Sequence, residues 1–296
     1  MEPKIRLELG AFLNESFDYA GSNESYLEDF APLFHGEDAI WQVERDETQK
    51  ITATGALYKV EVQTFSGAKL KLGLLGGIAT SPRARGQGLA TKVISTLVEK
   101  AHALNCEAAV LWSQREDFYS KLGFSPYGAQ NLLYVELGPT SEKDLLHEKK
   151  FSFEEVRLAE PNNLVFVKKL HQEFLHAGVL RTKNHWEGIA GISSCRVYVA
   201  FDLNRAPLAY IVHSRGKDMA GIVHEWGGAK DLVLMLMRNF APQPLSILST
   251  PRLNNLLIDG LKVVHEDQLP LCLIKWLLPK ADHHKPDLWF WGLDSL

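Results

Sequence analysis

The chain has 296 residues, of which 46% are hydrophobic, and a net charge of −4 at neutral pH. This length favours two domains, and the apolar fraction suffices to fill two cores. The mild acidity excludes the global basic field that attracts nucleic acid. The sequence contains neither an apolar run of membrane-spanning length nor a secretory signal. We therefore expect a cytoplasmic protein that binds neither nucleic acid nor a membrane.

The cysteines and histidines do not form a metal-binding pattern. Cys106, Cys195 and Cys272 are far apart, without a Cys-x-x-Cys pair, and each is interpreted as a small core residue in a reducing compartment. The adjacent pair His283-His284 lies in a polar stretch and is interpreted as a solvated loop. The sequence predicts no bound metal.

The first half of the chain alternates strand signals with polar segments. Apolar or alternating runs predict strands at Ile5–Leu9, Ala39–Val43, Thr52–Val62, Leu74–Ala79, Ala108–Trp112 and Asn131–Leu137. A turn is predicted at Ser66-Gly67. Apolar residues at three- and four-residue steps predict an amphipathic helix from Ala90 to Ala101.

A loop rich in glycine and arginine lies between the strand that ends at Ala79 and this helix. It contains Arg83, Arg85, Gly86 and Gly88, so the helix begins on bare backbone N–H groups with the positive end of its dipole outward. Such a helix start binds anions, phosphate above all. The order strand, loop, helix, strand makes a right-handed parallel crossover. This places the loop at the carboxyl end of a strand, where α/β sheets bind ligands.

Two motifs resemble those of the GNAT (GCN5-related N-acetyltransferase) family. The loop reads Arg83-x-x-Gly86-x-Gly88, like the family's Gln/Arg-x-x-Gly-x-Gly/Ala motif. Residues 118–124 resemble the family's Phe-Tyr-x-Lys-x-Gly-Phe segment. The resemblance implies acetyl-CoA as co-substrate, with its pyrophosphate held by the loop. The residues that it assigns to the cofactor are Ile78, Ala79, Thr80, Arg83, Arg85, Gly86, Gln87, Gly88, Leu89, Ala90, Thr91 and Gln114.

Acetyl transfer needs a group that protonates the leaving thiolate, and the resemblance assigns this role to Tyr119. A phenol is protonated at neutral pH and roughly matches the basicity of an alkyl thiolate. The alternative is that Tyr119 only packs against the cofactor. The strand edge at Ile78–Thr80 would pair with the pantetheine arm and aim a backbone N–H at the thioester carbonyl. The general base stays open: water, a backbone carbonyl, or one of the carboxylates Glu28, Asp29, Glu37, Asp38 and Glu61.

The second half of the chain repeats the pattern of the first. Strands are predicted at Phe151–Val156, Arg196–Phe201, Pro207–Val212, Ala220–Trp226 and Leu245–Thr250, and helices at Leu164–Phe174 and Leu232–Phe240. A shift of 137 residues places Ala108–Ser113 on Leu245–Thr250. The aromatic tail Leu288–Leu293 is interpreted as a strand that closes the second sheet.

The second copy lacks the features that would bind the cofactor. In place of the arginines it has Glu225 and Asp231, whose charges would repel a pyrophosphate. The loop before its helix is shorter, and Leu256 takes the position of Tyr119. We interpret it as a degenerate copy, so that only the first half binds acetyl-CoA. The triplet His224-Glu225-Trp226 either lines a cleft between the domains or forms a satisfied polar network.

The predicted fold is therefore α/β, with two GNAT-like mixed-sheet domains in tandem and the second degenerate. We expect them at residues 1–140 and 151–296, joined by a linker at 138–150. The long hairpin from Val60 to Leu74 and the degenerate second unit resemble the enhanced-intracellular-survival type of GNAT protein. Proteins of that type carry a third, sterol-carrier-like domain that supplies a carboxy-terminal catalytic carboxylate, and we expect no such domain within these 296 residues.

The expected activity is transfer of an acetyl group from acetyl-CoA to a primary amine of a small molecule or peptide, by direct attack on the thioester. The acidic stretch from Asn14 to Asp38 would help to set the acceptor, and its charge favours a cationic one. The alternative is a non-catalytic module that binds acyl-CoA or another protein. Assembly into a homo-oligomer stays open.

Overall fold

The computed structural model of the protein describes residues 2–19, 25–35, 38–137, 150–241, 244–253, 261–278 and 286–296. Within them the α-helices are α1 (Pro3–Ser16), α2 (Tyr26–Asp29), α3 (Ala31–Phe34), α4 (Leu89–Ala103), α5 (Glu116–Ser120), α6 (Pro161–Phe174), α7 (Lys183–Ala190) and α8 (Lys230–Phe240). None of these helices has both the length and the apolar character that a membrane span needs. The predicted linker, except Lys150, and the pair His283-His284 lie outside the described residues.

The first sheet has seven strands, most of them from the first half of the chain. They are β1 (Ala39–Arg45), β2 (Ile51–Gln63), β3 (Lys69–Thr80), β4 (Ala108–Leu111), β5 (Ser125–Tyr127), β8 (Gly178–Val179) and β14 (Cys272–Trp276). Six follow the order β1-β2-β3-β4-β14-β5, and β8 pairs with β2. Because β3 and β4 are parallel, the predicted crossover through α4 is confirmed.

The second sheet also has seven strands. They are β6 (Gln130–Glu136), β7 (Phe151–Val156), β9 (Arg196–Asp202), β10 (Pro207–His213), β11 (Ile222–Gly228), β12 (Leu245–Ser249) and β13 (Lys262–Leu269). Their order is β13-β6-β12-β11-β10-β9-β7. The strands β11 and β12 are parallel and joined by α8, so the crossover of the first half recurs and the fold contains two GNAT-like mixed sheets.

The two sheets exchange strands. β6 comes from the first half but lies in the second sheet between β12 and β13. β14 comes from the second half and lies in the first sheet between β4 and β5. Buried residues of both sheets join one apolar cluster. The apolar pattern of β6 and β14 fits either sheet. The sequence therefore did not reveal which strands they pair with. The domain limits at 1–140 and 151–296 stay a prediction.

The first predicted strand is wrong, because residues 3–16 form α1. Pro3 opens this helix, where its missing N–H is tolerated. Leu9 and Leu13, about one turn apart, are fully buried, whereas Leu7 is 68% exposed. The alternation of Ile5, Leu7 and Leu9 satisfies a strand pattern over too few residues to exclude a helix.

The aromatic tail is buried but forms no strand. It runs as irregular chain into a 3₁₀ turn at Gly292–Asp294. Phe290 meets Trp112 of the first half edge-on, and Trp291 meets Trp226 of the second half in the same way. The apolar composition predicted burial correctly, but the prediction that the tail closes the second sheet is wrong.

A buried charge network fixes the tail to the second sheet. Arg181 donates to Glu225 at 2.6 Å and to Asp294 at 2.7 Å, and all three side chains are fully buried. The Tyr210 hydroxyl also donates to Glu225, at 2.9 Å. Burial raises the pKa of Glu225, but Arg181 outweighs it and holds the pKa below the usual range. Glu225, the charged member of the sequence triplet, therefore belongs to a satisfied network.

Removing the Glu225 charge should destabilise the fold, because Arg181 loses one of its two carboxylate partners. We expect Glu225→Gln to lower the free energy of unfolding by about 3 kcal/mol, as for other broken buried pairs. The matched control is Glu155→Gln, which removes an exposed pair with Arg196 and should cost less than about 1 kcal/mol. Urea unfolding followed by tryptophan fluorescence measures both variants, and equal losses would contradict the role of the network.

Candidate active site

The site begins where β3 and β4 separate. Their pairing ends at Leu74 and Val110, while β3 continues to Thr80 and remains paired with β2 on its other side. Beyond Leu74, the N–H and C=O groups of β3 that would face β4 do not pair with it. Buried N–H and C=O groups need hydrogen-bond partners, so this edge of β3 is available to another partner.

A β-bulge lies in this separated part of β3. Gly77 and Ile78 stand opposite the single residue Gly55 of β2. Gly77 has a φ of +59°, a left-handed conformation that glycine adopts without strain. Its N–H donates to the phenolic oxygen of Tyr26, 3.1 Å away. Since bulges bend a strand and redirect its groups, the backbone at Ile78 changes direction beside the site.

The glycine loop leads into the N-terminus of α4. Gly88 caps the helix in a left-handed conformation, with φ +76° and no side-chain hydrogen bond, so the N–H groups of the first turn have no side-chain acceptor. Gly86 is also left-handed, with φ +79°. A Cβ built on either glycine would meet no atom within 4 Å. The loop is therefore open next to the positive end of a helix of 15 residues.

The separated strand, the loop and the tail enclose a cavity of about 1100 Å³. This volume exceeds that of most small-molecule pockets and suits a large ligand together with a small one. Most residues assigned to the cofactor by resemblance line it, namely Ile78, Ala79, Thr80, Arg85, Gly86, Gly88, Leu89, Ala90, Thr91 and Gln114. The remaining two, Arg83 and Gln87, are exposed and do not belong to its wall.

Tyr119 of α5 lies in the wall of the same cavity and is 7% exposed. Its ring packs edge-on against Phe118 and Phe124. Burial raises the pKa of the phenol, against the lesser opposing effects of a hydrogen bond with Ser113 and the charge of Arg115. The phenol is therefore protonated at neutral pH, as a proton donor must be.

The other end of the cavity, here called the aromatic end, is formed by Phe17, Tyr26, Asp29, Phe30 and Arg215. The ring of Tyr26 stacks on Phe17 at 4.9 Å and on Phe30 at 4.3 Å between centroids. Arg215 belongs to the second half, and its guanidinium carbon lies 4.7 Å from the centre of the Phe30 ring. Both halves of the chain thus build this end.

Asp29 is a buried carboxylate at the aromatic end, with 2% exposure. It accepts hydrogen bonds from the Tyr19 hydroxyl at 2.7 Å and from the Ser194 hydroxyl at 2.5 Å. A Cβ built on Gly216 would lie 2.0 Å from an Asp29 carboxylate oxygen. Only glycine at that position leaves room for the carboxylate.

The other carboxylates that the sequence offered as bases lie outside the cavity wall or outside the described residues. Glu28 and Asp38 are exposed, and Glu61 pairs with Lys69. Glu37 is not among the described residues. Of the five, the structure places Asp29 in the cavity wall.

Sequence reasoning missed the approach of the tail to β3. Ser295 and Leu296 line the cavity, and Leu296 is 8% exposed. A Cβ built on Gly76 would lie 2.9 Å from Leu296 Cβ, so glycine at this position permits the contact. Distant segments meet here, and no local pattern signals such a contact.

The second half has no loop equivalent to the glycine loop. Only Ala229 separates β11 from α8, whereas residues 81–88 separate β3 from α4, so the predicted shorter loop is confirmed. The expected position of Glu225 beside that loop is wrong, because its side chain is buried in the charge network. Asp231 lies in the first turn of α8, and Leu256 is outside the described residues.

The comparison with protein families assigns the first half of the chain. Residues 8–127 match the acetyltransferase (GNAT) domain, a span that contains the separated strands, the glycine loop and Tyr119. A search of curated proteins finds no match. Among the described residues, no group of three or more histidine, cysteine and acidic side chains could hold a metal ion.

Three solved structures share the fold over 94% of this chain. A probable N-acyltransferase of unknown function from Enterococcus faecalis superposes with a TM-score of 0.64 at 13% identity, over 71% of its length. A GCN5-related N-acetyltransferase from Anabaena variabilis gives 0.60 at 17% identity, over 71% of its length. Eis1 from Mycobacterium abscessus gives 0.58 at 10% identity, over 72%. These likenesses show the fold, and the domain match assigns residues 8–127 to the acetyltransferase (GNAT) domain.

Proposed function

We propose that the protein transfers an acetyl group from acetyl-CoA to the primary amine of a small molecule or peptide, by direct attack on the thioester. The observation that carries the proposal is a single cavity that joins an open helix N-terminus to a buried, protonated phenol. The first feature suits the cofactor's phosphates and the second suits its leaving thiolate.

The loop end of the cavity supports the cofactor assignment. The first-turn N–H groups of Leu89, Ala90 and Thr91 would donate to the pyrophosphate, and the Arg85 side chain would add a positive charge. Arg83, exposed outside the wall, would act only through longer-range attraction. The free edge of β3 from Gly76 to Thr80 would pair with the amides of the pantetheine arm as another strand does.

The reaction follows from these positions. The neutral amine attacks the thioester carbon, a C–N bond forms, and the C–S bond breaks. Since the Gly77 N–H donates to Tyr26, the Ile78 N–H at the bulge would stabilise the developing oxyanion. Tyr119 would give its proton to the leaving thiolate. The attacking nitrogen would lose its proton to Asp29, which lies in the cavity wall, or to water.

A binding module without catalysis is the competing function. It would need the loop and the β3 edge but would have no use for a proton donor at the thioester. The placement of Tyr119 in the cavity wall favours the enzyme. Release of free thiol from acetyl-CoA, assayed over a panel of amines, separates the two, because a binding module retains acetyl-CoA unchanged.

The compartment is proposed from the cysteines. Cys106, Cys195 and Cys272 are all free thiols, two of them buried. Free cysteines suit a reducing compartment such as the cytoplasm.

A charge at Gly88 should weaken cofactor binding. Asn and Asp both tolerate its left-handed conformation and both cap helices, so Gly88→Asn and Gly88→Asp differ mainly in one negative charge. We expect acetyl-CoA to bind Gly88→Asp at least about 10-fold more weakly than Gly88→Asn, because the carboxylate would face the pyrophosphate. Isothermal titration measures both affinities. Equal affinities would remove the loop from the proposed phosphate site.

Loss of the Tyr119 hydroxyl should slow turnover and spare binding. We expect Tyr119→Phe to lower kcat by about 10²- to 10⁴-fold, the usual contribution of a positioned acid, while acetyl-CoA affinity changes little. Tyr127→Phe is the matched control, since its phenol contacts Pro286 outside the cavity, and it should keep its kcat. Thiol release measures turnover, and titration measures affinity. Full activity in Tyr119→Phe would exclude the phenol as the acid.

A further inference from the structure

Arg215 is a buried cation in the cavity wall that lacks a carboxylate partner. It is 3% exposed, and its guanidinium donates to main-chain oxygens of Asp29 at 2.8 Å, Gly292 at 2.5 Å and Ser295 at 2.7 Å. Ser295 Oγ also accepts from it, at 3.0 Å. Among the described residues, no acidic group lies within ion-pair distance of Arg215. Buried charges are normally paired, so this guanidinium is an unusual feature of the wall.

One nitrogen of the same guanidinium has no hydrogen-bond partner. Nη2 of Arg215 is buried without an acceptor among the described residues. Leaving such a charged donor unpaired is unfavourable, because the donor has lost its water and gained no acceptor in exchange. Burial lowers the pKa of Arg215, but an arginine remains charged at neutral pH. An anion that enters the aromatic end would satisfy both the charge and the donor.

Arg215 is close to the place where transfer would occur. The Gly77 N–H donates to the Tyr26 hydroxyl at 3.1 Å. The Tyr26 ring stacks on the Phe30 ring, with 4.3 Å between their centroids. The guanidinium carbon of Arg215 lies 4.7 Å from the centre of the Phe30 ring. Two side chains therefore bridge the β3 bulge and the guanidinium. An acceptor bound between them would turn its amine towards the bulge and an anionic group towards Arg215.

The charges of the aromatic end are balanced. Asp29 and Asp218 line it together with Arg215 and Lys217. A polycationic acceptor, which the acidic stretch of the sequence favoured, would meet as many positive as negative groups. A zwitterion matches this arrangement, because its ammonium would approach the carboxylates while its own carboxylate approaches Arg215.

We infer that the acceptor is an amino acid with an apolar or aromatic side chain, and that Arg215 binds its carboxylate. The inference rests on the proposed acetyl transfer and specifies its substrate class. Phe17, Tyr26 and Phe30 supply apolar and aromatic surface for the side chain. Since Nε and Nη1 already donate to main-chain oxygens, Nη2 is the nitrogen left to donate to this carboxylate.

The test compares acceptors that differ only in the carboxylate. Phenylalanine, phenylalaninamide and phenethylamine share the ring, and leucine, methionine and tryptophan are compared with their own amides and decarboxylated amines. With rates referred to the neutral amine, we expect kcat/KM for the preferred amino acid to exceed that of its two analogues by about 10- to 100-fold, the range of a hydrogen bond to a charged group. Equal values across every set would overturn the inference and leave acetyl transfer intact.

Variants separate recognition from structural support. Arg215→Lys keeps the positive charge but removes the unpartnered Nη2, and we expect the preference for the carboxylate to shrink while the decarboxylated amine reacts as before. The control is Arg181→Lys, which perturbs a buried arginine that already has two carboxylate partners. It should leave the preference unchanged. Equal loss for all acceptors in Arg215→Lys would assign the residue to support of the tail and overturn the inference.

Direct binding keeps the two proposals distinguishable. Isothermal titration of each amino acid and its decarboxylated amine into the protein saturated with CoA needs no turnover. Tighter binding of the amino acid would support the Arg215 site even if no thiol were released, a result that would count against acetyl transfer alone. Binding no tighter than that of the amine, in every set, would overturn the Arg215 site.

Discussion

β3 and β4 separate after Leu74 and Val110, and the other parts of the site are arranged around that gap. The gap frees one edge of β3, and the bulge at Gly77 redirects the backbone along it. The first half supplies the glycine loop, α4 and Tyr119 beside the gap. The second half supplies the tail, which packs onto Gly76 of β3. A continuous β3–β4 ladder would satisfy the backbone and leave no place for a ligand.

The second half supports the site instead of repeating it. Its connection between β11 and α8 is one residue, too short for a phosphate loop. Its buried charges hold the tail through Arg181, and Arg215 reaches the cavity that belongs to the first half. The first half thus carries the glycine loop and Tyr119, whereas the second half supplies part of the cavity wall and the tail. Through the exchange of β6 and β14, buried residues of the two halves join one apolar cluster.

The sequence predicted the crossover, α4, the glycine loop and the position of Tyr119, because each depends on a local pattern or a motif. In the second half it predicted the five strands β7 and β9–β12, where apolar runs are long, and missed β8, β13 and β14. It failed where the outcome depends on distant partners. The strand β6 pairs across the halves, the tail packs without a ladder, and Arg215 meets Phe30 and Ser295 from far along the chain. The error at α1 has a different origin, since an alternating run of five residues fits both a helix and a strand.

The division of roles between the halves is the central claim, and the number of cofactor sites tests it most directly. Isothermal titration calorimetry of the intact protein with acetyl-CoA counts the sites. Native mass spectrometry of the complex checks this number. We predict one molecule per chain, bound at the loop before α4. Two molecules per chain would contradict the account, because the one-residue connection at Ala229 offers no second phosphate loop.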